Sequence, residues 1–229
     1  MTSLQKWGKS VRTTIPVMAG YLVLGAGFGI LLRTRGYGLG WALAMSAFIY
    51  AGSMQYVAID LLTGGASLLT TAVTTLLVNA RHLFYGISML ERYRAAGKYA
   101  PYLIFSLTDE TYSLVAARED LTGAECFRIS LLDQFYWVLG TALGSLAGAY
   151  LDFNTTGIDF SLTALFLTVF TEQWLETKDH APALIGLGVS IVCRLLFGAD
   201  SFLLPTMGGM LCCLLVLDAR RTKKGGESV

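Results

Sequence analysis

The sequence predicts an all-α, polytopic integral membrane protein with about seven or eight hydrophobic segments. Hydrophobic residues make up 54% of the 229 residues and charged residues only 14%, whereas an ordinary soluble domain has about 25% charged residues. Several apolar runs approach or exceed the roughly 20 residues that a helix needs to cross a bilayer. These runs leave no length for a sizeable soluble domain, so we expect a single transmembrane domain over residues 1–229.

Composition and motifs also limit the classes of function. The net charge is +1, which gives no reason to expect a nucleic-acid partner. The four cysteines form no CxxC pair, and the sequence contains no phosphate loop, no His-x-x-x-His pair and no nucleophile elbow. We therefore predict no metal, no cofactor and no enzymatic activity for this chain.

The first half of the chain has four hydrophobic segments, at residues 13–32, 39–64, 66–90 and 102–117. In the first segment Gly25 and Gly29 form a GxxxG motif, which is typical of a close helix crossing. The second segment is interrupted by small and polar residues at 51–55. It is therefore either one tilted helix or two half-helices with an unwound joint.

The second half has four more segments, at residues 129–151, 158–175, 183–197 and 202–217. In the first of these Gly140, Gly144 and Gly148 recur on one helical face, which is again a small-residue packing signal. The basic tail that follows predicts a cytoplasmic C-terminus; its residues are Arg220, Arg221, Lys223 and Lys224.

Residues 13–117 and 129–217 resemble each other weakly, and chance similarity between apolar segments is the alternative to a true repeat. The positive-inside bias bears on this hypothesis. With eight full crossings and a cytoplasmic N-terminus, the basic residues within 91–98 would lie outside the cell. If 39–64 and 158–175 are re-entrant hairpins, six crossings are left and these basic residues lie inside.

The segment 66–90 carries the polar sequence Asn79-Ala-Arg-His82 near its middle. A charged residue at the centre of a membrane helix costs about 2.5–3.5 kcal/mol on insertion scales, so we expect these side chains to face protein or water. On an unbroken helix Asn79 and His82 share one face, while Arg81 and Tyr85 share another. One face is therefore expected to serve a site and the other a neighbouring helix. His82 is either a structural or a titrating histidine.

Two adjacent carboxyls, Asp109 and Glu110, lie in the segment 102–117. If this segment is one continuous helix, four polar residues share a face: Ser106, Asp109, Glu110 and Ser113. Two neighbouring carboxyls in a membrane cannot both ionise cheaply, so one of them is a candidate proton carrier. The alternatives are an ion pair with Arg81 or Arg194, and a position at a water-exposed helix end.

Ser53 and Gln55 lie in the interrupted part of the second segment and are candidates for substrate contacts or for hydrogen bonds between packed helices. In the weak repeat their counterparts are Thr171 and Gln173. Further candidates in the second half are Glu172, beside Gln173, and Arg194, which corresponds to Arg81.

Three sequence motifs together resemble the AzlC family, the large subunits of two-component branched-chain amino-acid exporters. They are Phe48-Ile-Tyr-Ala-Gly-Ser-Met-Gln-Tyr56, Asn79-Ala-Arg-His-Leu-Phe-Tyr-Gly86 and Thr108-Asp-Glu-Thr-Tyr112. The resemblance covers about residues 10–218. It implies export of leucine, isoleucine, valine and, as a further candidate, methionine across the bacterial inner membrane, with a small hydrophobic AzlD-type partner subunit.

The residues and the resemblance together predict a secondary active transporter with alternating access, driven by the proton gradient. The predicted substrate-binding residues are Ser53, Gln55, Asn79, Arg81, His82 and Tyr85. The predicted proton-coupling residues are Asp109 and Glu110. Leucine instead of histidine follows Arg194, so the second half departs from an exact repeat. The alternatives are a structural subunit whose small partner forms the path, and an intramembrane enzyme.

Overall fold

The computed structural model describes residues 3–116, 118 and 120–150, scattered residues between 160 and 175, and residues 179–225. All regular elements in these parts of the chain are helical, which confirms the all-α prediction. Among the described residues, two helices are long and apolar enough to cross a membrane by length and composition, Gln5–Thr34 and Ala181–Gly198. The predicted number of crossings stays a prediction. The chain divides into two compact units, Met1–Thr163 and Ala164–Val229.

The helices of the first unit that lie in the described residues are α1 (Ser3–Thr34), α2 (Leu39–Phe48), α3 (Gly52–Thr63), α4 (Leu68–Val78), α5 (Arg81–Ala95), α6 (Ala100–Phe105), α7 (Asp109–Ala116) and α8 (Gly123–Tyr150). Three of the predicted hydrophobic segments are each made of two helices with a break between them. The breaks fall at residues 49–51, 79–80 and 106–108.

The second unit contains α9 (Ala181–Ser201) and α10 (Leu203–Gly225), which pack on each other. Gly198 has a φ of 76° and kinks α9 near its end. The predicted segments 183–197 and 202–217 lie within these two helices. Much of the predicted segment 158–175 lies outside the described residues.

Helices α1 and α8 pack along each other in the same direction through their glycines. A Cβ atom at Gly25 would come within 2.8 Å of the Trp137 carbonyl oxygen, and one at Gly29 or Gly144 would overlap the facing backbone. Such close backbone contact needs small residues on both helices. The two small-residue faces predicted from the sequence are thus confirmed, and they form one interface.

Helices α2 and α3 form a hairpin whose tip is the break at 49–51. Near the end of α2, the Ala47 carbonyl accepts a hydrogen bond from Gln134 of α8 at 3.1 Å. Helix α3 runs back in the direction opposite to α2. Its Tyr56 donates to the Leu24 carbonyl of α1 at 2.7 Å, and the Tyr56 ring packs on Phe28, further along α1. The interruption predicted at 51–55 is therefore present, two residues earlier than expected.

Helices α6 and α7 form a second hairpin, which enters from the opposite end of α8. Tyr102 of α6 donates to Gln134 at 2.6 Å, and after α7 the Arg118 guanidinium donates to Thr13 near the start of α1. The tips of the two hairpins meet where the rings of Tyr50 and Phe105 are 6.4 Å apart. The prediction of one continuous helix over 102–117 is wrong.

One end of the first unit collects basic residues from distant parts of the chain. Lys9 forms an ion pair with Glu125 at 3.6 Å, and Arg128 donates to Ser10. Arg92 of α5 donates to the carbonyls of Val115, Arg118 and Leu121. We call this end the basic end. It holds the starts of α1 and α8, the end of α5 and both ends of the α6–α7 hairpin.

Candidate functional site

The break before α7 is a helix start that the local sequence explains. The Thr108 hydroxyl accepts a hydrogen bond from the Thr111 amide at 3.3 Å, as an N-cap residue does. Asp109 and Glu110 then occupy the first turn, where carboxylates interact favourably with the helix dipole. A threonine followed by two acidic residues is a helix-start signal, so this break could have been predicted. The predicted face shared by Ser106, Asp109, Glu110 and Ser113 is wrong, because Ser106 lies before the break.

The break between α2 and α3 depends on contacts with α8. Tyr50 has a φ of 42°, a left-handed conformation that costs a non-glycine residue about 1–3 kcal/mol. Gly52 begins α3 against the Trp137 ring, where an added Cβ would come within 2.9 Å of a ring carbon. Because these contacts are tertiary, the position of the break could not be obtained from local sequence alone.

Arg81, the first residue of α5, joins the tips of both hairpins. Its Nη2 atom is 2.5 Å from the Ser53 hydroxyl of α3 and 3.1 Å from Asp109 Oδ2 of α7. The side chains of this ion pair are 34% and 36% exposed, so solvent reaches them in part. The structure thus contains, for Asp109, the ion pair with Arg81 that was one alternative for the two carboxyls.

Two buried polar atoms of this ion pair, and one of Asn79 at the neighbouring helix break, have no hydrogen-bond partner within the described residues. They are Arg81 Nε, Asp109 Oδ1 and Asn79 Oδ1. One is a donor and two are acceptors. Buried polar groups are normally paired, so this cluster has the capacity to bind a ligand that carries both an anionic and a cationic group.

A cavity of about 540 Å³ lies along α5 between the two hairpin tips. All three breaks contribute to its lining, through residues 49–51, Asn79 and Leu107. The α5 face with Asn79 and His82 lines the cavity, whereas Ser53, Gln55, Arg81 and Tyr85 are not part of the lining. The volume is within the usual range for small-ligand sites, about 300–1,000 Å³.

His82 and Tyr85 occupy different surroundings. Nδ1 of His82 is 3.2 Å from the Asn79 carbonyl oxygen. Tyr85 stacks on Tyr112 of α7 with ring centroids 4.5 Å apart, and it lies beside the Asp109 carboxyl. The two faces expected from an unbroken helix are only partly separate, because the His82 and Tyr85 rings are in edge contact with centroids 6.0 Å apart and α5 starts only at Arg81.

Gln55 belongs to a buried hydrogen-bonded network between helices. Its amide donates to Ser46 at 3.1 Å and its carbonyl accepts from the Trp137 indole at 2.9 Å, while Ser46 donates to Thr141. The side chain is 0% exposed. Its polar atoms thus make the contacts between packed helices that were one of the two expectations for this residue.

A second polar cluster involves Asp133, which the sequence analysis did not select. Asp133 is fully buried on α8 and accepts a hydrogen bond from Thr111 at 2.8 Å. Glu110 accepts one from Tyr21 of α1 at 2.8 Å. The available signal was a single carboxylate inside the apolar run 129–151, because an ionisable residue in a membrane segment marks a functional candidate.

The candidates in the second half are only partly described. Arg194 is exposed on α9, and its guanidinium carbon lies 5.4 Å from the centre of the Phe202 ring. Glu172 and Gln173 lie outside the described residues. Within the described part of the chain, no group of three His, Cys, Asp or Glu side chains could hold a metal ion.

The family model described as AzlC protein matches residues 16–151. This range includes the two hairpins, the broken helix α4–α5, and both polar clusters. The chain belongs to the AzlC family.

Relatives of this AzlC-family chain match it over most of its length. The branched-chain amino acid transport protein AzlC of Bacillus subtilis (strain 168) is 46% identical over 209 residues, 89% of this chain and 82% of that protein. An uncharacterized membrane protein of Helicobacter pylori (strain ATCC 700392 / 26695) is 42% identical over 207 residues, 89% and 91% of the two chains. The inner membrane protein YgaZ of Escherichia coli (strain K12) is 26% identical over 222 residues, 90% and 87%. No solved structure matches the chain.

AzlC-family membership supports a transport role and a membrane location. Large apolar side chains are strongly exposed on several helices; examples are Val23 at 72%, Leu68 at 90% and Leu195 at 80%. Such exposure is expected where lipid replaces water as the surrounding solvent, since apolar side chains are then favourable on the outside.

Proposed function

We propose that this chain is a secondary active transporter that exports leucine, isoleucine and valine across the bacterial inner membrane. In this proposal it is the large subunit of a two-component permease with a small AzlD-type partner, and export is coupled to proton entry. The relative from Bacillus subtilis, a branched-chain amino acid transport protein, supports the substrate class. The polar interior of the first unit supports the mechanism.

The observation that carries the proposal is the cluster of unpartnered atoms at the meeting point of the two hairpin tips. Non-helical backbone at membrane depth is tolerated where it lines a cavity, and broken helices form midplane binding sites in transporters. Arg81 Nε can donate to a substrate carboxylate, while Asp109 Oδ1 and Asn79 Oδ1 can accept from its ammonium group. This set matches a zwitterionic amino acid.

The adjoining cavity provides an apolar space for an aliphatic side chain. Its lining includes Leu83, Ile87, Leu90, Ile104 and Leu107. Because methylene burial contributes about 0.8 kcal/mol per group, such a lining favours leucine and isoleucine over alanine. His82 lies at the polar end of this cavity, next to Asn79.

Uptake of labelled leucine into inside-out membrane vesicles with an acidic lumen tests the proposal. We expect accumulation of intact leucine when the chain is produced together with an AzlD-type subunit. Arg81→Gln should raise the apparent KM about tenfold or more, because a hydrogen bond to a charged group contributes about 1.5–3 kcal/mol. Arg35→Gln, at an exposed arginine after α1, is the matched control.

Two outcomes would contradict this proposal in different ways. Vesicles that accumulate no leucine, isoleucine or valine above vesicles without the chain would overturn the transport function. Normal accumulation with an unchanged KM in Arg81→Gln would overturn the assignment of the binding site alone.

A further inference from the structure

Five side chains of the first unit form a continuous hydrogen-bonded chain between two carboxyl groups. In order they are Glu110, Tyr21, Thr108, Thr111 and Asp133. The successive oxygen–oxygen distances are 2.8, 2.6, 3.1 and 2.8 Å. Every member except Glu110 is buried, and the chain connects α1, α7 and α8.

The number of hydrogens in this chain sets the protonation of its ends. Each of the four oxygen–oxygen contacts needs one hydrogen, but a hydroxyl supplies only one. The three hydroxyls of Tyr21, Thr108 and Thr111 therefore satisfy three contacts. With Tyr21 donating to Glu110 and Thr111 donating to Asp133, the Tyr21–Thr108 contact has no hydrogen. One proton on either Glu110 or Asp133 would supply it, so the geometry suits two carboxyls that share a single proton.

We propose that Asp133 is a second proton-carrying carboxyl, which exchanges a proton with Glu110 through the three hydroxyls. This inference rests on the proposed function, because it supplies a route for the coupling proton. In the transfer, the O–H bond of Glu110 breaks and an O–H bond forms on Asp133. Each hydroxyl between them passes on its hydrogen and receives another, so the hydroxyls are unchanged and no co-reactant is needed.

The surroundings of Asp133 suit a group that takes up and releases a proton. The titratable groups near it come from each element packed on this part of α8: Tyr21 from α1, Tyr50 from the first hairpin tip, Tyr102 from α6 and Glu110 from α7. Within the described residues, no lysine, arginine or histidine nitrogen lies within 4 Å of its carboxyl oxygens. A buried carboxylate without a cationic partner is costly, whereas an ion-paired one would hold its charge permanently.

Glu110 has different neighbours, which tie this end of the relay to the candidate substrate site. Arg81 and Tyr85 of α5 and the adjacent Asp109 interact with it electrostatically, as do Tyr21 and Tyr50. A substrate ammonium or carboxylate that competes within the Arg81–Asp109 pair would change the charge next to Glu110. Substrate binding would thereby favour moving the shared proton toward or away from Asp133.

The Asp133 end of the relay has free hydrogen-bonding capacity toward the basic end. Asp133 Oδ1 and Ser130 Oγ are buried without partners within the described residues. Ser130 lies one helical turn before Asp133 on α8, nearer to the basic end. These two atoms can continue the relay on the side away from the ion pair. A hydrogen bond from Thr111 with a purely structural role would need no such continuation.

Asp133→Asn tests the relay in the full chain, because asparagine keeps the shape and the acceptor for Thr111 but cannot carry the proton. In inside-out vesicles we expect leucine uptake driven by an imposed pH gradient to fall about 10²-fold or more, as for other lost proton-transfer groups. Leucine counterflow at equal pH on both sides needs no net proton movement and should be retained. Retained counterflow also shows that the variant is folded.

Thr111 provides an independent test of the same route. Thr111→Val removes the hydroxyl from the middle of the relay and should reproduce the loss of pH-driven uptake, whereas Thr111→Ser restores the hydroxyl and should recover it. Thr141→Val is the matched control, because it removes a fully buried hydroxyl of α8 that belongs to the Ser46 network. A role confined to packing would favour valine over serine at position 111.

The outcomes separate this inference from the proposed function. If the wild-type chain shows pH-driven uptake and neither Asp133→Asn nor Thr111→Val reduces it, the relay alone is overturned. A wild-type chain that accumulates leucine with no dependence on the pH gradient would overturn proton coupling, and the relay with it, while leaving transport intact. Uptake driven by a sodium gradient and lost in Asp133→Asn would assign Asp133 to Na⁺ and also overturn the relay.

Infrared spectroscopy of the purified chain tests the shared proton without transport. The wild-type chain should show the C=O stretching band of one protonated carboxyl, and the comparison is the double variant Glu110→Gln with Asp133→Asn, whose amides carry no carboxyl proton. The double variant should lose this band. A band of undiminished intensity in the double variant would overturn the sharing of one proton.

Discussion

At the residue scale, the Arg81–Asp109 ion pair allows a prediction about stability. Arg81→Gln and Asp109→Asn each leave a partly buried charge without its partner, so each should lower the unfolding temperature in detergent. The double variant should be more stable than the sum of the single effects predicts, with a coupling of about 1–2 kcal/mol. This value lies between those of exposed and buried pairs, because both side chains are about one-third exposed.

Asp60→Asn, at an exposed carboxyl of α3, is the control. Additive effects in the cycle would mean that the two charges do not interact measurably.

Residue types in the site were predictable, but the partners of each residue were not. The cost of charge in a membrane segment is enough to select Arg81, Asp109 and Glu110 from sequence. The same reasoning applies to Asp133, although apolar neighbours and a strong glycine pattern dominate its segment. Asp109 pairs with Arg81, whereas Glu110 accepts a hydrogen bond from Tyr21. These partners depend on where α7 starts and on how α1 packs on α7.

At the element scale, the glycine interface between α1 and α8 predicts opposite effects of the same substitution. Gly144→Ala should destabilise the chain by about 1–3 kcal/mol, a typical cost of overpacking, because its Cβ would overlap the Ala26 backbone. Gly20→Ala, where an added Cβ meets open space, should be neutral or stabilising because alanine favours the helix. Thermal unfolding in detergent measures both. Equal unfolding temperatures for the two variants would contradict the close packing.

The helix breaks show where sequence periodicity stops being informative. Apolar residues continue across 49–51, and the apolar runs on either side of 79–80 join into one segment of membrane-spanning length. In both cases a single membrane segment and two half-helices give similar hydropathy. The break at 106–108 has a local cause, the Thr108 cap. The break at 49–51 depends on Gly52 against the Trp137 ring, a contact between residues far apart in sequence. Only a break with a local cause, such as the one at 106–108, can be predicted from a single sequence.

At the scale of the whole first unit, two hairpins from opposite ends meet beside a broken helix. Within the described residues, α1 and α8 pack along each other, and the broken helix α4–α5 passes both hairpin tips. Non-helical backbone at the two hairpin tips and the 79–80 break thereby lies together in the interior, where each can serve a shared cavity. The sequence predicts the first hairpin as one of two alternatives. For the second hairpin it offers only the local helix-start signal at Thr108, because the hydropathy of the α6–α7 segment is that of a single crossing.

This arrangement predicts the orientation of the first unit in the membrane. The basic end combines Lys9, Arg92 and Arg118 with their neighbours, and basic loops favour the cytoplasm. In a cysteine-free background, Lys98→Cys should react with a membrane-impermeant maleimide only from the cytoplasmic side. Arg35→Cys, at the opposite end of α1, should react only from the periplasmic side, because the 32 residues of α1 extend about 48 Å at 1.5 Å per residue.

Labelling after permeabilisation controls for reactivity. If both cysteines react from one side only, the basic end and the opposite end of α1 do not lie on opposite sides of the membrane. Reaction of Lys98→Cys from the periplasm alone would invert the unit and contradict the positive-inside assignment.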